Sequence, residues 1–368
     1  MRAAALETLF SLHSSVLHMG LTDVSFGVFI NKNNDAALCF KIEKGVAVIC
    51  GDPMCEPKFF DRTLQEFRHR YRHIARHVAF LGVSESFASY AKKMSWVTVQ
   101  FGVERIINPL SNPLLAGNEG KRIYIRSMQL LHPENVGLKL DIYDPSHSRD
   151  PPLEAAMAHA YESWRTARQD SQKVRTFLTI FSISSTPSCM MYLYIRGSDG
   201  ALHGFAGLRK LGVERGYHLD PCIETPWASK GTSDLLIIAA MALLKYLGVS
   251  YLSLGYKPSN NIGEITGMPR LMIWATRSLY HHLFQTLFID GKMKFQNCFR
   301  PDDNQKSSLC LVFPTKNLGP HQVAAIAQLT HLDIGHTLAK HFTGFKRPLP
   351  VEMPTKKVAR GWKEILRI

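Results

Sequence analysis

The segment from residue 190 to residue 254 decides the fold of this chain. It reads MMYLYIRGSDGALHGFAGL at 190–208, GYHLD at 216–220, TSDLLIIAAMALLKYL at 232–247 and VSYLSL at 249–254. The first run predicts two strands joined at the Asp199-Gly200 turn, because Asp-Gly between apolar runs is a strong hairpin signal. The second and fourth runs predict strands. The third predicts a helix that Thr232 or Ser233 caps at its start and Gly248 ends.

The first half of the chain shows the same order of elements with different residues. Short apolar runs at 25–30, 37–40 and 45–50 predict strands, and helical spacing follows at 59–77. Further strands are expected at 79–83 and 96–103, and helices at 85–93, 120–131 and 153–168. We therefore expect an α/β fold of two related lobes, each a mixed sheet flanked by helices. The expected bounds are 1–150 and 151–346, with a basic C-terminal tail at 347–368.

The charge balance favours polyanionic partners. Lys and Arg number 44 against 30 Asp and Glu, a formal net charge of +14. Such an excess suits nucleic acid or an anionic leaflet. The alternative is a basic surface that serves solubility alone.

Composition also argues against several classes of site and compartment. The seven Cys residues are scattered, odd in number and without a CxxC pair, so a reducing compartment is expected and a disulfide framework is not. No Walker loop, GxGxxG after a strand or GxSxG occurs, and no metal-ligand cluster stands out. No apolar run approaches about 20 residues and no signal peptide is recognised, so any membrane contact should be peripheral.

Two groups of basic residues are candidates for phosphate binding. Arg68, Arg72 and Arg76 recur every four residues in the predicted helix, which would align them as one stripe. Like charges at that spacing repel, and phosphate would relieve the repulsion. A second group contains Lys121, Arg122 and Arg126. In both cases the alternative is a solvated helix face.

Asp220 is the most distinctive single residue. It is predicted to end the strand at 216–220, directly before Pro221 and the loop that leads to the helix at 232. A carboxylate at a strand end in an α/β lobe faces the crevice where ligands commonly bind, and there it could hold a substrate ammonium group. The alternative, an Asp that caps a turn, is favoured on the residues alone.

Six segments in order resemble a known family. They are SFGVF at 25–29, GDP at 51–53, GKRIYIR at 120–126, HLD at 218–220 followed by Pro226, Gly231 and DLLI at 234–237, YLSLGYKP at 251–258, and GKMKF at 291–295 with FRP at 299–301. Together they resemble the transferase domain of phosphatidylglycerol lysyltransferases. They resemble still more the free-standing fungal sterol aminoacyltransferases that make ergosteryl amino-acid esters. The resemblance covers about residues 14–315.

The resemblance implies two tandem GNAT-like lobes, with the transfer site in the second lobe and a passage between them. It implies that Asp220 contacts the α-ammonium group of an aminoacyl ester, and that residues 120–126 lie along the path of the tRNA. Further substrate contacts are expected at Asp234, Ser253, Gly255 and Tyr256. The co-substrate would be a charged tRNA, with no other cofactor and no metal. The acceptor would be a membrane lipid, a sterol by preference or phosphatidylglycerol.

The chemistry expected from these substrates is ester transfer. A lipid hydroxyl attacks an already activated aminoacyl ester, which requires proximity, a proton acceptor and stabilisation of an oxyanion. Lys294 is expected to neutralise phosphate or oxyanion charge. The base is left open among Asp220, Glu224 and the free amine of the substrate.

This sequence departs from the family pattern at two places. Residues 221–224 offer no Arg after Asp220, and the two family lysines before the Phe-Pro pair fall on Gln296 and Cys298, with Lys292 and Lys294 nearby. These departures bear on the amino acid used and on activity itself.

Two other functions stay open from the residues. One is acetyl-CoA-dependent N-acetyl transfer, for which residues 209–214 are the nearest approach to a pyrophosphate loop. The other is a non-catalytic module that binds tRNA or a membrane. The expected location is cytoplasmic, with peripheral membrane association.

Overall fold

The computed structural model describes residues 2–117, 121–169, 181–183, 187–286, 290–305, 307–315 and 318–330. Met1–Leu332 forms one compact unit, and Asp333–Ile368 is grouped apart from it. The predicted basic tail at 347–368 lies outside the described residues.

The first half of the chain contains five strands and the helices that connect them. Its elements are α1 (Arg2–His13), β1 (Gly27–Ile30), β2 (Ala37–Glu43), β3 (Val46–Cys50), α2 (Phe60–Tyr71), β4 (His77–Val83), α3 (Glu85–Lys93), β5 (Val97–Ile107) and α4 (Lys121–Leu131).

The second half begins again with antiparallel strands. Its elements are β6 (Lys139–Tyr143), α5 (Pro151–Gln169), β7 (Met190–Arg196), β8 (Leu202–Leu211), β9 (Gly216–Glu224), α6 (Thr232–Tyr246), β10 (Leu252–Pro258), β11 (Ile265–Thr266), α7 (Arg270–Thr286), α8 (Asp290–Asn297), β12 (Ser308–Phe313) and α9 (Pro320–Leu329).

The strands join into one 12-stranded mixed sheet. Its order is β1-β2-β3-β4-β12-β5-β10-β9-β8-β7-β6, with β11 paired to β5. Most neighbours are antiparallel, whereas β3 with β4 and β9 with β10 are parallel. The α/β class with a mixed sheet flanked by helices is thus confirmed.

Each half of the sheet repeats one motif, as the sequence predicted. Antiparallel strands lead into a helix, α2 or α6, that crosses to a parallel strand, β4 or β10. Two strands pair with strands from the other side of the predicted boundary at residue 150. Strand β12 inserts between β4 and β5, and β6 pairs with β7. The bounds of the two lobes stay a prediction.

Apolar side chains cover both faces of the second half of the sheet. On one face, Leu208 and Leu219 pack against Leu236 and Met241 of α6. On the other face, Phe205 of β8 packs in a separate cluster that includes residues of α5. Between these apolar layers, Arg209 of β8 is a charged side chain that is only 2% exposed.

Helix α2 is shorter than predicted. It ends at Tyr71, because the backbone N–H of Arg76 donates to the carbonyl of Gly45 at 2.9 Å and His77 already pairs with β3. The pairing of β4 with β3 thus terminates the helix five residues before Arg76. The predicted stripe of Arg68, Arg72 and Arg76 on one helix is wrong.

The start of α6 also differs from the prediction. Gly231, with φ of 101°, occupies the N-cap position in place of Thr232 or Ser233. The carboxylate of Glu224 instead accepts hydrogen bonds from the backbone N–H of Ser233 at 3.3 Å and from its hydroxyl at 2.8 Å. A carboxylate at this position suits the positive end of the helix dipole.

Candidate functional site

The parallel strands β9 and β10 pair only over a short stretch of the described structure. Leu252 pairs with Tyr217 and Ser253 with His218, and no further pair joins the two strands, although both continue. By contrast, β3 and β4 stay paired from Val46 to Cys50. The sheet is therefore open between the carboxyl ends of β9 and β10, and parallel α/β sheets bind ligands at such openings.

Asp220 lies at the beginning of this opening, within β9 and not at its end. Strand β9 continues to Glu224, so the predicted strand end at Asp220 is wrong. Ala206 pairs with Cys222 and Leu208 with Leu219, which leaves Asp220 and Pro221 opposite Gly207. Two residues facing one constitute a β-bulge, which redirects side chains and interrupts regular pairing.

Gly207 makes the bulge possible because it has no side chain. A Cβ atom at Gly207 would lie 2.9 Å from the carbonyl oxygen of Asp220 and 3.2 Å from Cδ of Pro221. Any larger residue would therefore push the bulged strand away. The position of Asp220 is set by this close approach of the two backbones.

A row of polar side chains crosses the sheet next to the opening. Arg209 of β8 is directly opposite His218 of β9, which is opposite Ser253 of β10. Cross-strand partners point to the same face. Ser253 is also opposite Ile106 of β5, so Glu104, two residues away on β5, shares that face. Within this row, the Nδ1 atom of His218 lies 3.2 Å from the carbonyl oxygen of Ser253.

Arg209 is the charged centre of this row. Its side chain is 2% exposed, and its Nη2 atom donates to the carbonyls of Ser15 at 3.2 Å and Val16 at 3.0 Å. Burial lowers the pKa of Arg209 to about 10, and the Asp220 carboxylate is the strongest of the negative groups that oppose this shift. Asp220 is thus held near a buried cation that the N-terminal segment helps to enclose.

Ser253 and Gly255 shape the β10 side of the opening. The Ser253 hydroxyl accepts a hydrogen bond from the backbone N–H of Gly255 at 3.1 Å, and Gly255 has φ of 87°. This left-handed conformation favours glycine. It coincides with a register shift between Ser253 and Tyr256 in the pairing of β10 with β5.

Tyr256 is half-buried and packs against apolar side chains of the first half. Its ring meets Phe101 with centroids 6.2 Å apart, and its register partner is Glu104. Burial raises the pKa of Glu104, and the hydroxyl groups of Ser253 and Tyr251 oppose that rise.

Helix α8 closes the β10 side through Gln296. The Gln296 side chain is 6% exposed and donates from Nε2 to the carbonyl of Leu254 at 2.9 Å. Leu254 lies between Ser253 and Tyr256, where the pairing of β10 with β5 shifts register, so Gln296 satisfies a carbonyl at an irregular part of the strand. Where the family pattern has a lysine, this chain therefore has a structural amide.

Lys294 projects from α8 into solvent, and Cys298 is likewise exposed. The backbone carbonyl of Lys294 accepts a contact from the Cys298 thiol at 3.3 Å. No described contact joins Lys294 to Asp220, so its assigned role stays a prediction.

Glu224 and Asp234 form a second group with Arg126 at the start of α6. Arg126 of α4 donates to the carbonyl of Lys230 at 2.9 Å. Burial raises the pKa of Asp234, the Arg126 guanidinium opposes this rise, and the Glu224 carboxylate adds to it. About 13 Å of strand separates Glu224 from Asp220 at about 3.3 Å per residue. The structure does not bring the two predicted catalytic carboxylates together.

Cys222 lies between the two groups. The pKa of its thiol is raised to about 12, chiefly by burial and then by the carboxylates of Glu224, Asp220 and Asp234 in that order. A thiol in this state is a poor nucleophile.

The candidate tRNA-binding residues lie on two separate elements. On α4, Arg122 and Arg126 line an open depression of about 570 Å³ together with Ile125 and Gln129. The side chain of Lys121 lies outside the described residues. Around the end of α2, Arg68 lies over the ring of Trp96 at 5.7 Å, and Arg72 and Arg76 are exposed. Both groups stay predictions for tRNA binding.

The sequence reasoning missed Arg209, His218 and Glu104 as members of the site. Each is an ionisable residue inside an apolar strand, which is the signal that could have found them.

Comparisons with known proteins agree with this architecture. The family model described as "Phosphatidylglycerol lysyltransferase, C-terminal" matches residues 10–311. The lysylphosphatidylglycerol biosynthesis bifunctional protein LysX of Rhodococcus jostii is 22% identical over 284 residues, which cover 72% of this chain and 24% of that protein. The corresponding protein of Rhodococcus opacus is 22% identical over 283 residues, with the same coverage. The chain thus spans about a quarter of the length of these curated relatives.

Two solved structures show the same fold. One is the C-terminal domain of a putative lysylphosphatidylglycerol synthetase from Agrobacterium fabrum, with a TM-score of 0.64. The other is L-PGS from Bacillus licheniformis, with a TM-score of 0.65. Each is 16% identical, and each comparison covers 89% of this chain and 96% of the other. Since the family model matches well over half of its residues, the chain belongs to the family of phosphatidylglycerol lysyltransferase C-terminal domains.

Proposed function

We propose that the chain transfers an aminoacyl group from aminoacyl-tRNA to the hydroxyl group of a membrane lipid. The observation that carries this proposal is the separation of β9 from β10 beside Asp220. Family membership supports the same reaction class. The activity needs a site that admits two large substrates, and an opening at the edge of a parallel strand pair suits that need.

Asp220 anchors the α-ammonium group of the aminoacyl ester. A carboxylate and an ammonium group form a charge-assisted hydrogen bond, which is stronger in a partly shielded site than in water. The Asp220 carboxylate and the buried Arg209 guanidinium attract each other, which helps to fix the carboxylate in place.

The reaction is an ester exchange. The lipid hydroxyl oxygen forms a bond to the ester carbonyl carbon, and the bond from that carbon to the tRNA ribose oxygen breaks. The proton leaves the lipid hydroxyl and finally protonates the ribose oxygen. The Glu224 carboxylate already accepts two hydrogen bonds from Ser233. We therefore favour as the proton acceptor either Asp220 or the amine of the substrate after it has lost its own extra proton.

Phosphatidylglycerol is the first acceptor to test. The name of the family and the names of the Rhodococcus relatives refer to lysine and phosphatidylglycerol. A sterol acceptor rests on the sequence resemblance alone and is the second acceptor to test.

The acetyl-CoA alternative is opposed by the turn after β8. The backbone N–H of Gly212 donates to the carbonyl of Ser14 at 3.0 Å, and that of Val213 donates to the same carbonyl at 3.2 Å. A pyrophosphate cradle needs free amide groups at a helix start. These amides are already engaged, and the turn leads into a strand.

A transfer assay tests the proposal. Full-length protein is mixed with radiolabelled aminoacyl-tRNAs, one amino acid at a time, and with vesicles that contain phosphatidylglycerol, ergosterol or neither. We expect label in the phosphatidylglycerol fraction and a rate at least tenfold lower for Asp220→Asn, the equivalent of about 1.4 kcal/mol of transition-state binding. Asp141→Asn is the matched control, because Asp141 is an exposed carboxylate within strand β6.

Each outcome of the assay is informative. Label in the sterol fraction alone would correct the acceptor. Binding of tRNA without transfer of any amino acid to any lipid would replace the proposal by the non-catalytic module. Full activity of Asp220→Asn would remove Asp220 from its role.

A further inference from the structure

Helix α7 exposes large apolar side chains to solvent. Leu271 is 76% exposed, Trp274 69% and Met272 41%. Leu271 and Trp274 are three residues apart, so they lie on one side of the helix. We call Leu271 and Trp274 the α7 face; Met272 lies beside it, about 100° around the helix from Leu271. Single exposed apolar residues are common on proteins, whereas adjacent large ones on one side of an anchored helix form a contiguous patch of the kind that marks interaction sites.

The opposite side of α7 fixes the helix to the sheet. Ile273 and Tyr280 pack against the core cluster that contains Phe101. The Tyr280 hydroxyl lies 2.9 Å from the carbonyl of Phe101 and 2.6 Å from that of Ser259. The α7 face therefore belongs to an anchored helix, and its exposure is not the result of a loose segment.

The charge of α7 is entirely positive. Its sequence, RLMIWATRSLYHHLFQT, contains Arg270 and Arg277 and no Asp or Glu. Both arginines are exposed, and Arg277 also donates to the carbonyl of Gly263 at 3.1 Å. Exposed Trp and Leu with flanking Arg are typical of helices that lie in the surface of an anionic leaflet.

The position of α7 connects this surface to the candidate site. Ser259, which Tyr280 contacts, directly follows the carboxyl end of β10. That is the end at which β10 has separated from β9. Tyr256 packs against the same core cluster as Ile273 and Tyr280, and its ring lies 6.2 Å from that of Phe101. The anchored side of α7 is thus joined through apolar side chains to the strand segment beside Gly255, and the α7 face lies on the outer side of the same helix.

We propose that the α7 face docks on the surface of an anionic phospholipid leaflet and so presents the opening between β9 and β10 to the lipid. The choice of a lipid surface rests on the proposed function. Charge complementarity supports it over a second copy of this chain, because self-association through α7 would bring Arg270 and Arg277 of both copies together.

Vesicle binding by the full chain tests the surface. The variant Leu271→Glu/Trp274→Glu is compared with the wild type for co-sedimentation with phosphatidylcholine vesicles, with and without phosphatidylglycerol. We expect wild-type binding that needs phosphatidylglycerol and weakens with salt, and at least tenfold weaker partitioning of the variant. The control is Tyr246→Glu/Val213→Glu, since these side chains are 87% and 61% exposed and lie before the amino ends of β10 and β9.

Trp274 reports its own depth in the bilayer. Brominated phosphatidylglycerol should quench a fraction of wild-type tryptophan fluorescence, and Trp274→Phe should lose that quenched fraction while it still binds vesicles. Retained vesicle binding by the Leu271→Glu/Trp274→Glu variant would overturn the proposal. So would a wild-type dimer that the same variant dissociates.

Transfer assays separate this proposal from the proposed function. With short-chain phosphatidylglycerol dispersed in detergent, the Leu271→Glu/Trp274→Glu variant should keep the transfer rate of the wild type. With vesicles, its transfer rate should be at least tenfold lower than that of the wild type. If the wild type transfers nothing but the variant still loses vesicle binding, the surface stands and the proposed function fails.

Discussion

Replacement of Arg209 by methionine tests whether the buried cation and Asp220 act as one unit. Arg209 is 2% exposed, and methionine preserves most of its length without charge or donors. We expect Arg209→Met to lower the free energy of unfolding by about 1–3 kcal/mol. We expect aminoacyl transfer to fall as well, since Asp220 is the carboxylate that interacts most strongly with Arg209.

The magnitude follows from two opposing contributions. Arg209 makes hydrogen bonds of 3.2 and 3.0 Å to two backbone carbonyls, and bonds from charged donors contribute about 1.5–3 kcal/mol each. Against this, burial lowers the pKa of Arg209 from 12.5 to about 10, which corresponds to a cost of about 3 kcal/mol. Methionine removes both the hydrogen bonds and the cost of burying the charge. The free energy of unfolding therefore falls by less than the loss of the hydrogen bonds alone would cause.

A double-mutant cycle isolates the coupling between the two residues. Urea unfolding of Arg209→Met, Asp220→Asn and the double variant is followed by circular dichroism, and equal slopes against urea confirm comparable denatured states. We expect a coupling of about 1–2 kcal/mol, because residues in one charged network do not add independently. Lys210→Met is the matched control, an exposed cation on the same strand. Additive effects within about 0.5 kcal/mol would refute the pairing of Arg209 with Asp220.

Three further changes have outcomes that the structure specifies. Gln296→Leu leaves the carbonyl of Leu254 without its side-chain partner, so the free energy of unfolding in urea should fall by about 1–2 kcal/mol; unchanged stability would contradict this. Burial raises the pKa of Glu214 from 4.5 to about 7, so the folded state binds its proton more tightly and stability falls as the pH rises through this range. Glu214→Gln should therefore raise the free energy of unfolding by about 1–3 kcal/mol at a pH of about 8 and by much less at a pH of about 5. Urea unfolding at both pH values measures this, and an equal gain at both would argue against the titration of Glu214. Arg122→Ala and Arg126→Ala should each weaken tRNA binding and lower the slope of log affinity against log salt by about 0.9 in filter-binding titrations; an unchanged slope would place the tRNA elsewhere.

Much of the fold could be read from local patterns. The Asp199-Gly200 hairpin forms as β7 and β8, and α6 and β10 follow in the predicted order. These elements have strong apolar periodicity and turn residues at both ends, which depend on neighbours in sequence. The end of α2 could not be read in this way, because the pairing of His77 with Val46 terminates the helix.

The sequence by itself determined the α/β class and the repeated order of elements, and it predicted Asp220 as a site residue. Only the tertiary structure decided where Asp220 lies, since a bulge opposite Gly207 arises from pairing with β8. It also decided that Arg209, His218 and Ser253 form one row, and that Gln296 bonds to the Leu254 carbonyl of β10. The physical reason is range: helix periodicity and turns are encoded locally, whereas strand register and burial depend on residues that are distant in the chain.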